Sequence, residues 1–126
     1  IIDVGGSLKA NEISAKDEVS VGGSIETVAG VNASYVEIGR RGKVTGPIRA
    51  NEVLIGERAR VEDVYAGEIT MEEKAQARNL YGQRIRIESG SHIQGEVNFT
   101  QSLESEKGVF YTRPPVRVEK LPQQPS

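Results

Sequence analysis

One register governs the chain. An apolar pair two residues apart is followed by a small residue and then by a second apolar position, and the unit recurs every 16 or 17 residues. Val36 and Ile38 align with Val53 and Ile55, with Ile69 and Met71, and with Ile85 and Ile87. The small position is Gly42, Ala59, Ala75 and Ser91, and the apolar position after it is Val44, Val61, Ala77 and Ile93. Gly46, Asp63, Asn79 and Gly95 come next, all residue types that tolerate a bent or left-handed backbone. Two further columns follow, Ile48, Tyr65, Tyr81 and Val97, then Ala50, Gly67, Gln83 and Phe99.

The same columns extend upstream. Ile13 and Ala15 fill the first pair, Val19 and Val21 the next, and Gly23, Ile25 and Thr27 the third; Ile2, Val4, Gly6, Leu8 and Ala10 precede them. One break appears, from Ala15 to Ile38, whose excess is assigned to a loop at Ala29–Ser34 pushed out at a corner. Downstream, Leu103 and Val109 keep the register, and "TRPPVRVEKLPQQPS" leaves it.

Within each segment the apolar period is two, the period of a strand. Helical repeats of the tetratricopeptide or ankyrin kind need about 33 residues and a 3.6-residue period. Three short strands and three corners per repeat make an all-β, single-domain, three-sided parallel β-helix of about six coils over residues 1–110. A proline-rich segment, 111–126, follows as an end cap or a linker. The left-handed hexapeptide helix keeps a strict turn of about 18 residues, so the shorter spacing points to the right-handed form. The columns then stack at about 4.8 Å per coil around a narrow aliphatic prism. That accounts for 14 glycines and only 5% aromatic residues. Arg40, Lys43, Arg49, Glu57, Arg60, Arg84, Arg86 and Glu88 fall between the inward columns and point to solvent.

The remaining composition narrows function. With no cysteine there is no disulfide, zinc-thiolate site or cysteine nucleophile. No run of about 18 apolar residues is present, so a helical membrane span is not expected; the expected location is the cytoplasm. Net charge is −2 with both signs interspersed, which lacks the basic face of a nucleic-acid binder. His92, the single histidine, points outward by parity with Lys43 and Arg60. "GRRGKVTG" fails the G-x-x-x-x-G-K-[ST] spacing of a phosphate-binding loop and lies between strands. Glu72, Glu73 and Lys74 form a solvated corner. No catalytic, cofactor-binding or metal-ligating residue is expected, and no cofactor.

A β-helix has no lateral edge but two terminal ones, which must be covered or used. The candidate polymer interface is Ile2, Val4 and Leu8 at one end and Phe99, Leu103, Val109 and Phe110 at the other. Phe99 and Phe110 either fill the last coil or form an apolar face that docks on a neighbouring rod.

"GPIRANEVLIGERARVEDVYAGEI" and "IRIESGSHIQGEV" resemble the bactofilin family of polymer-forming cytoskeletal proteins. Gly46, Ile48, Ala50, Val53, Ile55, Gly56, Ala59 and Val61 match one part of its pattern. Ile85, Ile87, Glu88, Gly90, Ile93 and Gly95 match another, with Ser91 in place of alanine and Ile93 in place of phenylalanine. The resemblance covers roughly residues 4–100. It implies a right-handed β-helix that assembles end to end, without nucleotide, into non-polar filaments or scaffolds. The expected partner is therefore the protein itself, with other proteins reaching the C-terminal tail. Two alternatives stand beside this: a trimeric hexapeptide-type transferase, and a monomeric binding scaffold.

Overall fold

A computed structural model describes residues 1–121. Among these there is no helix; every paired strand is parallel to its neighbours, and the chain coils into a β-solenoid of seven turns. The first turn is β1 (Ile2–Val4), β2 (Ser7–Lys9) and β3 (Glu12–Ser14). The second is β4 (Glu18–Val21), β5 (Ser24–Glu26) and β6 (Gly30–Asn32). The third begins with β7 (Tyr35–Ile38) and β8 (Lys43–Thr45). From there long strands turn a corner without losing their pairing. These are β9 (Ile48–Ile55), β10 (Asp63–Met71), β12 (Asn79–Ile87) and β14 (Val97–Ser105), with the short β11 (Gln76–Ala77) and β13 (His92–Ile93) between them. The seventh turn closes with β15 (Phe110–Tyr111) and β16 (Val116–Arg117).

Three walls result. Wall A stacks Ile2, Val19, Val36, Val53, Ile69, Ile85 and Leu103 in one register column. Wall B stacks Leu8, Ile25 and Val44 in β2, β5 and β8, then continues through two isolated bridges at Arg60, to Lys43 and to Gln76, into β11, β13 and β15. Wall C stacks Ile13, Val31, Ile48, Val64, Leu80 and Val97. The core is the aliphatic prism enclosed by the walls. Val36, Ile38, Val53, Ile55, Ile87 and Ile93 are fully buried, as are Ala59, Ala75 and Ser91 in the small-residue column. Each buried Val or Ile contributes roughly 1.5–3 kcal/mol of transfer free energy, repeated layer after layer.

Two register assignments differ from the sequence expectation, and both trace to corner length. The first concerns the N-terminal turns. Val19 and Val21 pair with Val36 and Ile38, and Ile2 and Val4 lie beneath them, all on wall A. Ile13 instead lies under Val31 on wall C. Gly30–Asn32 is therefore a stacked strand with Val31 fully buried, not an extruded loop, and the stack gains a seventh turn over the expected six. In these turns the corner from wall A to wall B is just Gly5-Gly6 or Gly22-Gly23, whereas Gly39–Gly42 fills it in the third turn. A fixed corner length thus misplaces everything upstream.

The second concerns wall C. Val64 pairs with Ile48 and Leu80, and Tyr65 pairs with Arg49 and Tyr81. The inward residues are Val64 and Leu80, and the tyrosines lie outside the core cluster, stacked on each other, with Tyr65 half-buried and Tyr81 buried. Glu62-Asp63 makes this corner where Thr45-Gly46-Pro47 made the previous one, so the tyrosines move one place out of the inward column.

Candidate functional site

The seven residues expected at the ends do not all lie there. Ile2, Val4 and Leu8 share the first turn. Leu8 is 39% exposed although Ile25, its partner in the same column, is fully buried. No strand pairs with the outer edge of β1, β2 or β3 among the described residues. At the opposite end Leu103 and Val109 are half-buried in the seventh turn and pack against the core. Phe99 lies one layer further in: Arg117 pairs above it, and the Val118 N–H donates to its carbonyl at 2.8 Å. Phe110 is 62% exposed on the outside of wall B, its ring edge-on to His92 with centroids 4.9 Å apart.

The inward ring of that last strand belongs to Tyr111, paired with the buried Ile93. Its hydroxyl is buried and has no hydrogen-bond partner among the described residues. Val116 and Arg117, just after Pro114 and Pro115, form β16, which pairs with Asn98 and Phe99. The strand places Arg117 in the column of Ala66, Gly82 and Phe99, with its Nε donating to the Thr100 carbonyl at 3.3 Å. The segment expected to start at 111 thus continues the stack through β16, while its prolines 122 and 125 lie outside the described residues.

A second feature runs along the corner between walls A and B. From the third turn onward this corner is long enough to need one left-handed residue per turn. Arg41, Arg58 and Lys74 take it at φ of 60°, 60° and 59°, and Gly90 and Gly108 take it at 77° and 85°. Backbone bonds hold the column in place. The N–H groups of Arg41, Arg58 and Lys74 donate to the carbonyls of Glu57, Glu73 and Ser89, one turn on, at 2.9, 3.0 and 3.1 Å. Two residues later, on wall B, Lys43 and Arg60 face outward in the same direction. Arg41, Lys43, Arg58, Arg60, Lys74 and Gln76 together line a shallow groove of about 470 Å³.

Beside it runs a second ladder. Glu72, Glu88 and Glu106 follow wall A in successive turns, each donating its N–H to the last inward residue of the turn below. Burial, and then Glu72, Glu106 and Glu73, push the Glu88 carboxyl above its ordinary range.

Comparison with protein-family models, with curated proteins and with solved structures finds no match.

Wall C carries a polar outer surface. The rings of Tyr65 and Tyr81 stack at 4.9 Å. Burial pushes the Tyr81 phenol up to about 12, and Glu96 adds to the effect. Asp63 accepts hydrogen bonds from Arg78 at 2.9 and 3.1 Å and from Asn79 at 2.8 Å. Burial alone would raise its pKa, but these bonds outweigh burial and hold the carboxyl below its usual range. Leu121 lies against this surface, lining a groove with Ala50, Tyr65, Tyr81 and Gln83. His92 faces outward as expected, its Nε2 3.1 Å from the Thr112 hydroxyl. Among the described residues no cluster of three His, Cys, Asp or Glu side chains could hold a metal ion. Among the described residues no helix is long and apolar enough to cross a membrane.

Proposed function

We propose that this protein is a non-enzymatic structural element that assembles end to end into filaments or scaffolds through its terminal turns. The carrying observation is Leu8. It occupies an inward column yet is 39% exposed, on a turn whose outer sheet edge is unpaired among the described residues. A second copy seated there covers the apolar cross-section and adds strands to an existing edge, the logic of β-augmentation. Leu103, Val109 and Tyr111 present the corresponding surface at the other end. One such contact buries less than the roughly 1,200 Å² of a stable standard interface, so growth depends on sheet pairing together with apolar stacking. The match of Gly46 to Val61, and of Ile85 to Gly95, to the bactofilin pattern supports the same reading.

Negative-stain electron microscopy of the purified chain, with light scattering, tests it. Elongated polymers are expected for the wild type. Leu8→Arg and Leu103→Arg should each shorten them to small oligomers while the circular dichroism spectrum stays that of a β-solenoid. A wild type that stays monomeric at high concentration overturns the proposal. So does a discrete trimer, and so do folded variants that polymerise like the wild type.

A further inference from the structure

All three non-glycine residues with positive φ among the described residues are cations: Arg41, Arg58 and Lys74. They occupy one corner position in three successive turns, and the next two turns fill the same position with Gly90 and Gly108. Glycine adopts this conformation without steric penalty, whereas a side chain there is strained. The fold itself therefore does not call for arginine or lysine at these places. Strain held at successive positions by the surrounding structure is characteristic of functional sites.

The strained column projects its charges to where Lys43 and Arg60 already stand. Five cationic side chains and Gln76 line one groove, and among the described residues no carboxylate, aromatic or large aliphatic side chain lines it. Glu57 sits beside it, 3.6 Å from Arg58 and 3.8 Å from Arg40. Among the described residues, Arg41, Lys43, Arg60 and Lys74 have no carboxylate within ion-pair distance. On a chain of net charge −2, this concentrates positive charge on a single corner. With turns about 4.8 Å apart, the cations form a ladder rather than a single pocket. It suits a ligand that carries several anionic groups and offers nothing to stack or bury. The lack of an aromatic platform disfavours a nucleobase.

We propose that the groove of Arg41, Lys43, Arg58, Arg60 and Lys74 binds a compact polyphosphorylated ligand, with phosphoryl oxygens bridging arginine and lysine side chains of adjacent turns. Arginine forks engage such oxygens bidentately, and lysine acts as a point charge. The inference is independent of end-to-end assembly, because the groove lies on the flank of turns three to five.

The test compares wild type with the triple variant Arg41→Gly, Arg58→Gly and Lys74→Gly, which removes charge while relieving backbone strain. Arg84→Gln, outside the groove, serves as control. Isothermal titration with inorganic tripolyphosphate at low salt should give saturable binding to wild type, weakened as salt rises. The triple variant should melt at a higher temperature yet bind at least tenfold more weakly, and the control should bind like wild type. Flotation with phosphatidylcholine vesicles, with and without phosphatidylinositol bisphosphate, separates the two sources of the ligand. Selective flotation with the bisphosphate identifies a lipid headgroup, and titration without flotation identifies a free polyphosphate. Absence of saturable binding in both arms, or equal binding by the triple variant, overturns the proposal.

Discussion

Leu8 and Ile25 occupy the same column of wall B, one turn apart, and their surroundings could hardly differ more. Ile25 has a strand on each side and is fully buried; Leu8, in the outermost turn, is 39% exposed. Glycines make the same contrast. A β-carbon placed on Gly5 would meet nothing within 4 Å. One placed on Gly56, in the corner of the fourth turn, would lie 2.6 Å from the Ile38 carbonyl oxygen and 2.8 Å from the Gly39 carbonyl carbon. In a solenoid, burial is conferred by the turns above and below and not by the residue alone. Interior turns are saturated with contacts, and terminal turns carry the same chemistry with half of it unspent.

Substitutions that exploit this difference should rank in a definite order. The largest effect is expected inside. Ile55→Ala, in the fully buried column of wall A, should cost about 2–5 kcal/mol of unfolding free energy, measured by urea denaturation. The equivalent truncation Leu8→Ala should cost well under half as much, and equal losses would break the contrast. Next come the corners. Gly56→Ala forces a backbone shift and should cost about 1–3 kcal/mol, whereas Gly5→Ala should leave the melting temperature of the unassembled chain unchanged.

The smallest effect concerns the outer surface of the interior turns. The Tyr81 phenol is pushed up to about 12, against about 10 for an unfolded tyrosine. The folded state therefore favours the neutral phenol. Its contribution to stability is fully present below pH 10 and disappears as pH rises through 12. Tyr81→Phe should flatten the loss of stability across that window while changing stability at pH 7 by under about 1 kcal/mol. An unchanged alkaline profile in thermal melts would show that burial does not desolvate the Tyr81 hydroxyl in solution.

The strand period, the repeat and the wall A columns were legible in the sequence, because residues in one register column must share chemistry when they share a layer. "VLIGERARV" shows how far that reaches. Val53 and Ile55 line wall A, Gly56 opens the corner, and Ala59 and Val61 line wall B, all as the repeat implies. The repeat stops predicting register where corner length varies. Val31 is a core residue that the repeat does not mark, because two-residue corners upstream offset its strand, and a corner one residue shorter turns Tyr65 and Tyr81 out of the column in which a constant corner length would put them. Corners face water, so nothing apolar marks their length.

The candidate sites divide along the same line. That the ends would expose apolar side chains followed from repetition alone. Ile2, Val4, Leu8, Leu103 and Val109 do lie in the terminal turns, but Phe110 turns outward, Phe99 is covered by β16, and Tyr111 takes the inward place.

By itself, the sequence determined a parallel β-coil with an aliphatic interior and water-facing residues between its columns. A period of two, repeated every 16 or 17 residues, permits little else. Only the tertiary structure decided that Arg41, Arg58 and Lys74 share a strained left-handed corner beside Lys43 and Arg60. Each cation is an ordinary surface residue within its own turn. They become one ladder because stacking brings residues far apart in the chain to about 4.8 Å per layer, a proximity fixed by hydrogen bonds between turns.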